Sequence, residues 1–202
     1  GPILRINRAE IPVLTDEVLK KDHEYWTKFV TPLIGDWITY DTPVKDVTAF
    51  AEKVIFRDDY TGFKGDRDFV VDETAQRAFS KLRSSIAGVY YWRLGESPSG
   101  GPVPTSYISM GAERKRMERE ADFAFKQAFA LCPFSPEVIY RYVQLLVNGR
   151  RMDDALLIAE TGAKISPSNT QFKYLIDNLK SIKGQMGSGA DFQSEIARLE
   201  KA

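Results

Sequence analysis

Four aspartates, Asp58, Asp59, Asp66 and Asp68, crowd a stretch that also holds Gly62 and Gly65. Hard oxygen donors at that density suit calcium or magnesium, and a metal held there would make the chain a metal-dependent enzyme. The stretch lacks the glutamate that closes a calcium-binding loop, so a solvated loop is the preferred reading. Gly62 and Gly65 also lack the Lys-Ser/Thr ending and the preceding strand of a phosphate-binding loop. His23 is the only histidine and Cys132 the only cysteine. A nucleophilic triad or zinc site needs more partners than these two, which sit in distant settings. His23 is therefore expected on an exposed helix face, and Cys132, beside Pro133 in an apolar stretch, as a small buried hydrophobe. Carboxylate pairs occur on several helical stretches, but none is marked as an acid and base couple. Arg114-Lys115-Arg116 adjoins Glu118 and Glu120 and reads as a solvated face. No catalytic residue, metal site or cofactor is expected.

The remaining chemistry is recognition. Tyrosine offers a large apolar face and a hydroxyl at low entropy cost, which suits a peptide or polymer ligand. Tyr91, Tyr140 and Tyr174, with Ser84, Gln144, Asn148 and Asn178 between them, are the candidate ligand-binding residues. They converge only if particular helices stand side by side.

Those helices are suggested by an internal repeat. Ala121, Phe125, Ala128 and Pro133 are answered by Ala155, Ala159, Gly162 and Pro167, each pair 34 positions apart (121 to 155, 125 to 159, 128 to 162, 133 to 167). A period of about 34, with small residues inside a helix and a proline closing it, marks tetratricopeptide-type helix pairs. Small residues allow close approach, and proline stops the second helix of the pair. Ile86, Ala87 and Tyr90 match the spacing of Tyr142, Val143 and Leu146, so Lys81 to Leu94 is taken as the first helix of the earlier pair. Its partner then follows an insertion at 95–106, with three prolines and three glycines. In such arrays the first helices line a concave groove, which places the seven residues named above on one surface. The alternative is a groove filled by the N-terminal helices.

The 202 residues include 28 Lys plus Arg and 28 Asp plus Glu, which leaves no field of one sign for nucleic acid. No apolar run approaches the roughly 20 residues needed to span a bilayer, and no signal peptide is visible. Gly1-Pro2 fits the remnant of a protease cut, so the chain is expected to be a piece of a longer protein.

In chain order, residues 1–13 read as an extended lead-in. Thr15 caps a helix from Asp16 to about Val30, ended by Thr31-Pro32, and its spacing places Val18, Leu19, Tyr25, Trp26 and Phe29 toward the protein. Leu33 to Tyr40 is read as a short helix or turn. Thr42 is expected to cap a helix to about Phe56 with Pro43 at its first position. A loop follows over 57–68. Asp72 caps a helix to about Leu94, whose stripe of Ala75, Ala78, Phe79, Leu82, Ile86, Val89 and Tyr90 predicts the buried face. Further helices are predicted from Gly111 to Leu131, from Ser135-Pro136 to Asn148 with Gly149 as terminator, from Asp153 to Ile165, and from Thr170 onward. Gly184 to Gly189 reads as a flexible linker before a terminal helix. The expected fold is all-α, a tetratricopeptide-like solenoid of antiparallel helix pairs with extra N-terminal helices. Its parts are an N-terminal helical segment at 1–70, the repeats at 71–183, and a linker with terminal helix at 184–202.

Several stretches resemble a known family. Gly1-Pro2-Ile3-Leu4-Arg5-Ile6-Asn7-Arg8, Asp22-His23-Glu24-Tyr25-Trp26, Ala78 to Arg93 (AFSKLRSSIAGVYYWR) and Gln127-Ala128-Phe129-Ala130-Leu131-Cys132-Pro133 are similar to the soluble C-terminal tail of a bacterial family of multi-spanning membrane proteins that resembles the protein O-mannosyltransferases. The resemblance implies a tail behind a membrane-embedded, glycosyltransferase-like body that carries the catalytic acids. It implies a membrane-tethered soluble domain on the periplasmic side, with a cytoplasmic position as the alternative. The tail would be a non-catalytic interaction or scaffold module whose partner is a protein or peptide, including a glycosylation acceptor, with the membrane reached through the parent. The alternatives are the metal-dependent enzyme on the Asp58 to Asp68 loop and a self-assembly module.

Overall fold

The computed structural model describes residues 14–96 and 103–199, with side chains as far as 185 and Ser106 excepted. The lead-in at 1–13 and residues 97–102 of the insertion lie outside the described residues. The chain is all-α: α1 (Asp16–Ile34), α2 (Val44–Phe50), α3 (Arg67–Val71), α4 (Glu73–Trp92), α5 (Gly111–Leu131), α6 (Pro136–Asn148), α7 (Met152–Ile165) and α8 (Thr170–Leu199). Among the described residues there is no strand.

Local chemistry explains most boundaries. The Thr15 hydroxyl accepts the Val18 N–H, with Asp16 and Glu17 in the positive first turn of α1. Pro32 does not stop this helix, which runs one turn further to Gly35, at φ 93°. The hydrogen bond that Pro32 cannot make is the one to the carbonyl of Lys28, an exposed residue, so no buried group is stranded. Thr42 does not cap α2. Its hydroxyl accepts the Thr39 N–H and donates to the Trp37 carbonyl, so it closes a turn, and Pro43 supplies the first accepting carbonyl. The last turns of that helix, Ala51–Phe56, are a π-helix. The Asp72 carboxylate accepts the N–H groups of Thr74 and Ala75 at the head of α4. After α6 the left-handed residue is Arg150, at φ 58°, not Gly149. The Arg151 N–H reaches back to the Leu146 carbonyl and the Arg150 N–H to that of Val147, the Schellman closure, one residue later than the glycine suggests. Gly184 to Gly189 is not a linker, because α8 runs through it. Glycine weakens a helix by about 1 kcal/mol, but with no proline there every N–H is still available to the helix.

The helices pack antiparallel in sequence. The Ser80 hydroxyl on α4 donates to the Ala128 carbonyl of α5, and the Ser109 N–H to the Arg93 carbonyl at the other end. Phe125 of α5 stacks on Tyr142 of α6, Ile139 of α6 abuts Gly162 of α7, and Lys180 of α8 pairs with Glu160 of α7. Alternate helices therefore run parallel: Arg77 on α4 lies over Phe134 just before α6, and Tyr91 meets Asn148 fourteen residues further along each chain segment (77 to 91, 134 to 148). α4, α6 and α8 thus form one layer and α5 and α7 the other. The repeated small positions Ala121, Ala128, Ala155, Ala159 and Gly162 are all buried between helices. The N-terminal helices do not fill the outer face of α4, α6 and α8. α2 packs on α5 and α7 at the back, where Glu52 pairs with Lys164, and α1 lies along α4 and α5.

A Cβ at Gly162 would sit 2.3 Å from Cδ1 of Ile139, itself fully buried and with nowhere to turn. Gly162→Ala is expected to destabilise by about 1–2 kcal/mol net of the helix propensity gained. Ile139→Val removes the offending methyl, so in urea unfolding the double variant is expected to lose less than the two single losses added. Additive losses would contradict this packing. Cys132 is buried as expected, and burial pushes its thiol from 9.0 up to about 12. The folded chain keeps a proton that the unfolded chain releases, so stability falls as pH rises from about 9 to about 12. Buried Tyr90, Tyr91 and Tyr142, raised by the same cause, act in the same direction. Urea midpoints are expected to fall over this range, with a shallower slope in Cys132→Ala.

Candidate interaction surface

α4 is turned about its axis relative to the expectation from its apolar stripe. Its buried face is Gln76, Ser80, Arg83, Ser84, Ala87, Gly88, Tyr90 and Tyr91, while Leu82 and Val89 are 49% and 47% exposed. Two physical reasons decide this. Ser80, Ser84, Ala87 and Gly88 are small enough for α5 and α6 to approach closely, which larger side chains would prevent. The buried side-chain donors also find acceptors: Gln76 donates to the Val70 carbonyl at 2.7 Å, Ser80 to Ala128, and Ser84 to the Lys81 carbonyl.

Arg83, 1% exposed, is the centre of this face. Its Nε donates to the Gln127 side-chain oxygen at 2.8 Å and its Nη1 to Asp22 Oδ2 at 3.1 Å, and the guanidinium lies over the Trp26 and Phe123 rings. The Tyr90 hydroxyl donates to the same Asp22 oxygen. Burial lowers the Arg83 pKa while the Asp22 charge opposes the shift; burial and Asp22 together raise that of Tyr90. The network ties α1 to α4 and α5 and sets which side of α1 faces out.

That side is apolar. Val18, Tyr25 and Phe29 are exposed on α1, with Tyr25 and Phe29 stacked at 5.3 Å and Phe29 reaching Phe79 of α4 at 5.4 Å. On α4, Leu82, Ser85, Val89 and Trp92 follow at helical spacing, and a depression lies between the last three and Arg141 of α6. Tyr140 on α6 and Tyr174 on α8 continue the exposed aromatic surface. Lys28 and Lys81 flank the α1 and α4 portion, and neither forms an ion pair among the described residues.

The predicted site residues divide. Tyr140 is partly exposed and donates to the Gln171 carbonyl; Gln144, Tyr174 and Asn178 are exposed. Ser84 and Tyr91 do not join them. Both are buried, because the α4 register is one residue away from that expected, and Ser85 and Trp92 take the outer positions. The Tyr91 hydroxyl accepts the Asn148 amide at the edge of a polar cleft of about 320 Å³, between the end of α4 and the α6–α7 turn, where Arg114 pairs with Glu118 and Arg151 with Asp122. Sequence reading missed Val18, Tyr25, Phe29, Leu82 and Val89 as surface residues. The available signal was the small-residue set Ser80, Ser84, Ala87 and Gly88, which marks the close-packed side of α4.

Other candidates resolve locally. Asp59 accepts the Thr61 N–H, Asp66 accepts the Asp68 N–H at the head of α3, and Asp58 accepts the Tyr60 hydroxyl. Hydrogen bonding to Thr61 lowers the Asp59 pKa. Among the described residues no three potential metal ligands converge. His23 is not on an open helix face. It is partly buried and stacks with Tyr40 and Phe123 at 5.3 and 4.9 Å, because α1 lays this side on the turn before α2 and on α5. Among the described residues no helix is long and apolar enough to cross a membrane.

Comparison with protein-family models, with curated proteins and with solved structures finds no match. The fold and surface define the class alone: an all-α protein of paired helices with an outward apolar stripe.

Removing one partner of the buried pair strands a charge. Asp22→Ala and Arg83→Met are each expected to cost about 3 kcal/mol in urea unfolding, and Asp22→Leu with Arg83→Met less than the sum of the two losses. An Asp22→Ala loss below about 1 kcal/mol, the value of a surface pair, would show that the network is not holding the helices.

Proposed function

We propose that the chain is a non-catalytic protein-interaction module, tetratricopeptide-like in its helix pairs, that receives a peptide segment of its partner on the outer face of α1, α4, α6 and α8. The observation that carries the reading is the outward stripe of Tyr25, Phe29, Leu82 and Val89, large apolar groups left in water by the burial of Arg83. A contiguous apolar surface with a polar rim is what protein partners cover. The unpaired Lys28 and Lys81 favour an amphipathic segment with acidic residues beside its apolar ones. Similarity to the tail of the membrane glycosyltransferase-like family adds a setting: the module stands outside the bilayer, on the periplasmic side, and offers this face to a polypeptide such as a glycosylation acceptor. In that reading the catalytic groups belong to the parent and none is required here.

The test is selection of peptides from a displayed random library against the chain. Enriched sequences are expected to pair apolar with acidic residues, and their affinity to fall at least about tenfold in Leu82→Asp and in Val89→Asp, both exposed positions where helicity survives. Lys81→Glu is expected to weaken binding by a smaller factor and to reduce its salt dependence. Selected peptides that bind these variants as well as the original chain would place recognition elsewhere.

A further inference from the structure

A second concave site lies at the other end of α1, away from the outer face. The C-terminal end of α1, the α2 helix with its π turn, and the loop over 60–65 border a half-open cavity of about 390 Å³. Three aromatic rings form its apolar wall: Trp37 and Phe50 lie 4.8 Å apart at 37°, and Phe50 and Phe63 lie 6.0 Å apart at 44°. Volumes of this order hold small ligands, and the walls of such sites are mostly apolar with a few placed polar groups.

The cavity is built, not left over. The Trp37 indole N–H donates to the Ile34 carbonyl at 2.9 Å, which holds the ring in place. The Asp66 N–H donates to the Leu33 carbonyl, and a Cβ at Gly65 would collide with that oxygen at 2.4 Å, so glycine lets the loop seat directly on α1. The Lys53 ammonium donates to the Thr61 carbonyl at 2.6 Å and ties the loop to the π turn. π turns recur at functional sites because the extra residue re-aims side chains, and this one carries Lys53 and Val54 at the cavity. At the rim, Lys53 is close enough to Asp59 for each to feel the other's charge, whereas Lys64 forms no ion pair among the described residues. Asp36 is the one carboxylate lining the cavity, and with Lys53 engaged by Thr61 and Asp59, Lys64 is the lining cation left for a ligand.

We propose that this cavity binds an aromatic ring bearing a carboxylate, with the ring packed against the wall formed by Trp37, Phe50 and Phe63 and the carboxylate on Lys64. Two sources share that chemistry, a free aromatic acid and the C-terminal aromatic residue of a polypeptide. The site is independent of the outer face, since none of its lining residues belongs to that surface.

The experiment is a ¹H–¹⁵N NMR titration of the whole chain with N-acetyl-tryptophan, with a pentapeptide ending in tryptophan, and with the neutral analogue tryptophol. Shifts are expected at Gly35, the Trp37 indole N–H and Gly62, saturating with Kd of about 1 mM or tighter, as one apolar group and one exposed ion pair allow. Tryptophol and the Lys64→Glu variant are each expected to weaken binding at least about fivefold. Ala49→Phe, at the exposed mouth, is expected to block it, with Ala49→Leu as the substitute if the first unfolds the chain. Leu82→Asp is expected to leave this titration unchanged. Equal affinity for the free acid and the peptide assigns the site to small aromatic acids, and a peptide at least about tenfold tighter assigns it to chain termini. Absence of shifts at the cavity, tryptophol binding as tightly as the acid, or full binding in a folded Ala49→Phe variant would overturn the proposal.

Discussion

One buried guanidinium decides how the front of this molecule is arranged. Arg83 loses nearly all contact with water, and a lone cation in that position would cost several kcal/mol, a large share of the net stability of a domain this size. Asp22 from α1, Gln127 from α5 and the faces of Trp26 and Phe123 compensate it together. Satisfying Arg83 requires α1 to lie along α4 at one rotation, with Trp26 inward, and therefore with Tyr25 and Phe29 outward. It also requires α4 to turn Arg83 inward, and because neighbours on a helix are about 100° apart, Leu82 is carried out to solvent. The exposure of large apolar residues is thus the geometric consequence of a polar burial one residue away.

Behind that network the packing is set by size. α5 is buried on every side from Phe123 to Leu131, since α1, α2, α4 and α6 surround it. Its charged first half, from Arg114 to Glu120, runs beside the last turns of α4, with Met117 buried and Lys115, Glu118 and Arg119 exposed. A helix apolar all round belongs in a core, and a helix with a charged first half and an apolar second half is one that enters it from the surface. The small residues at the 34-residue spacing let neighbouring helices approach closely, and Gly162 against Ile139 is the tightest example. Most ion pairs on the outside are exposed and contribute little; the pairs of Lys126 and Arg151 with Asp122 are more enclosed, and the second joins α5 to the α6–α7 turn.

Two surfaces of different kind result. The outer face is broad and shallow, suited to a segment of polypeptide that spreads over several helices. The cavity beside α2 is half open and walled by three aromatic rings, and in our proposal it takes one planar group. Asp59, Asp66 and Asp72 serve the backbone, accepting N–H groups at turns and helix heads, and Asp58 accepts the Tyr60 hydroxyl. That use explains how so many carboxylates can stand in one short stretch without converging.

By itself the sequence determined the all-α class, the helix starts marked by Thr15, Asp72 and Pro136, the antiparallel pairing of neighbouring helices with small residues between them, and the burial of Cys132. These follow from interactions among residues close in the chain, or from a period that only paired helices satisfy. The tertiary structure alone decided the rotation of α4, and with it the burial of Ser84 and Tyr91 and the exposure of Leu82 and Val89. Apolar periodicity assigned α4 the wrong inner face because it weighs transfer from water and ignores partners: Arg83 and Gln76 are cheap to bury only when Asp22, Gln127 and the Val70 carbonyl arrive from elsewhere. The aromatic cavity was equally illegible, since Trp37, Phe50 and Phe63 come from three segments whose meeting depends on Gly65 seating the loop against α1. Distance along the chain hides both, and only the folded arrangement brings the partners together.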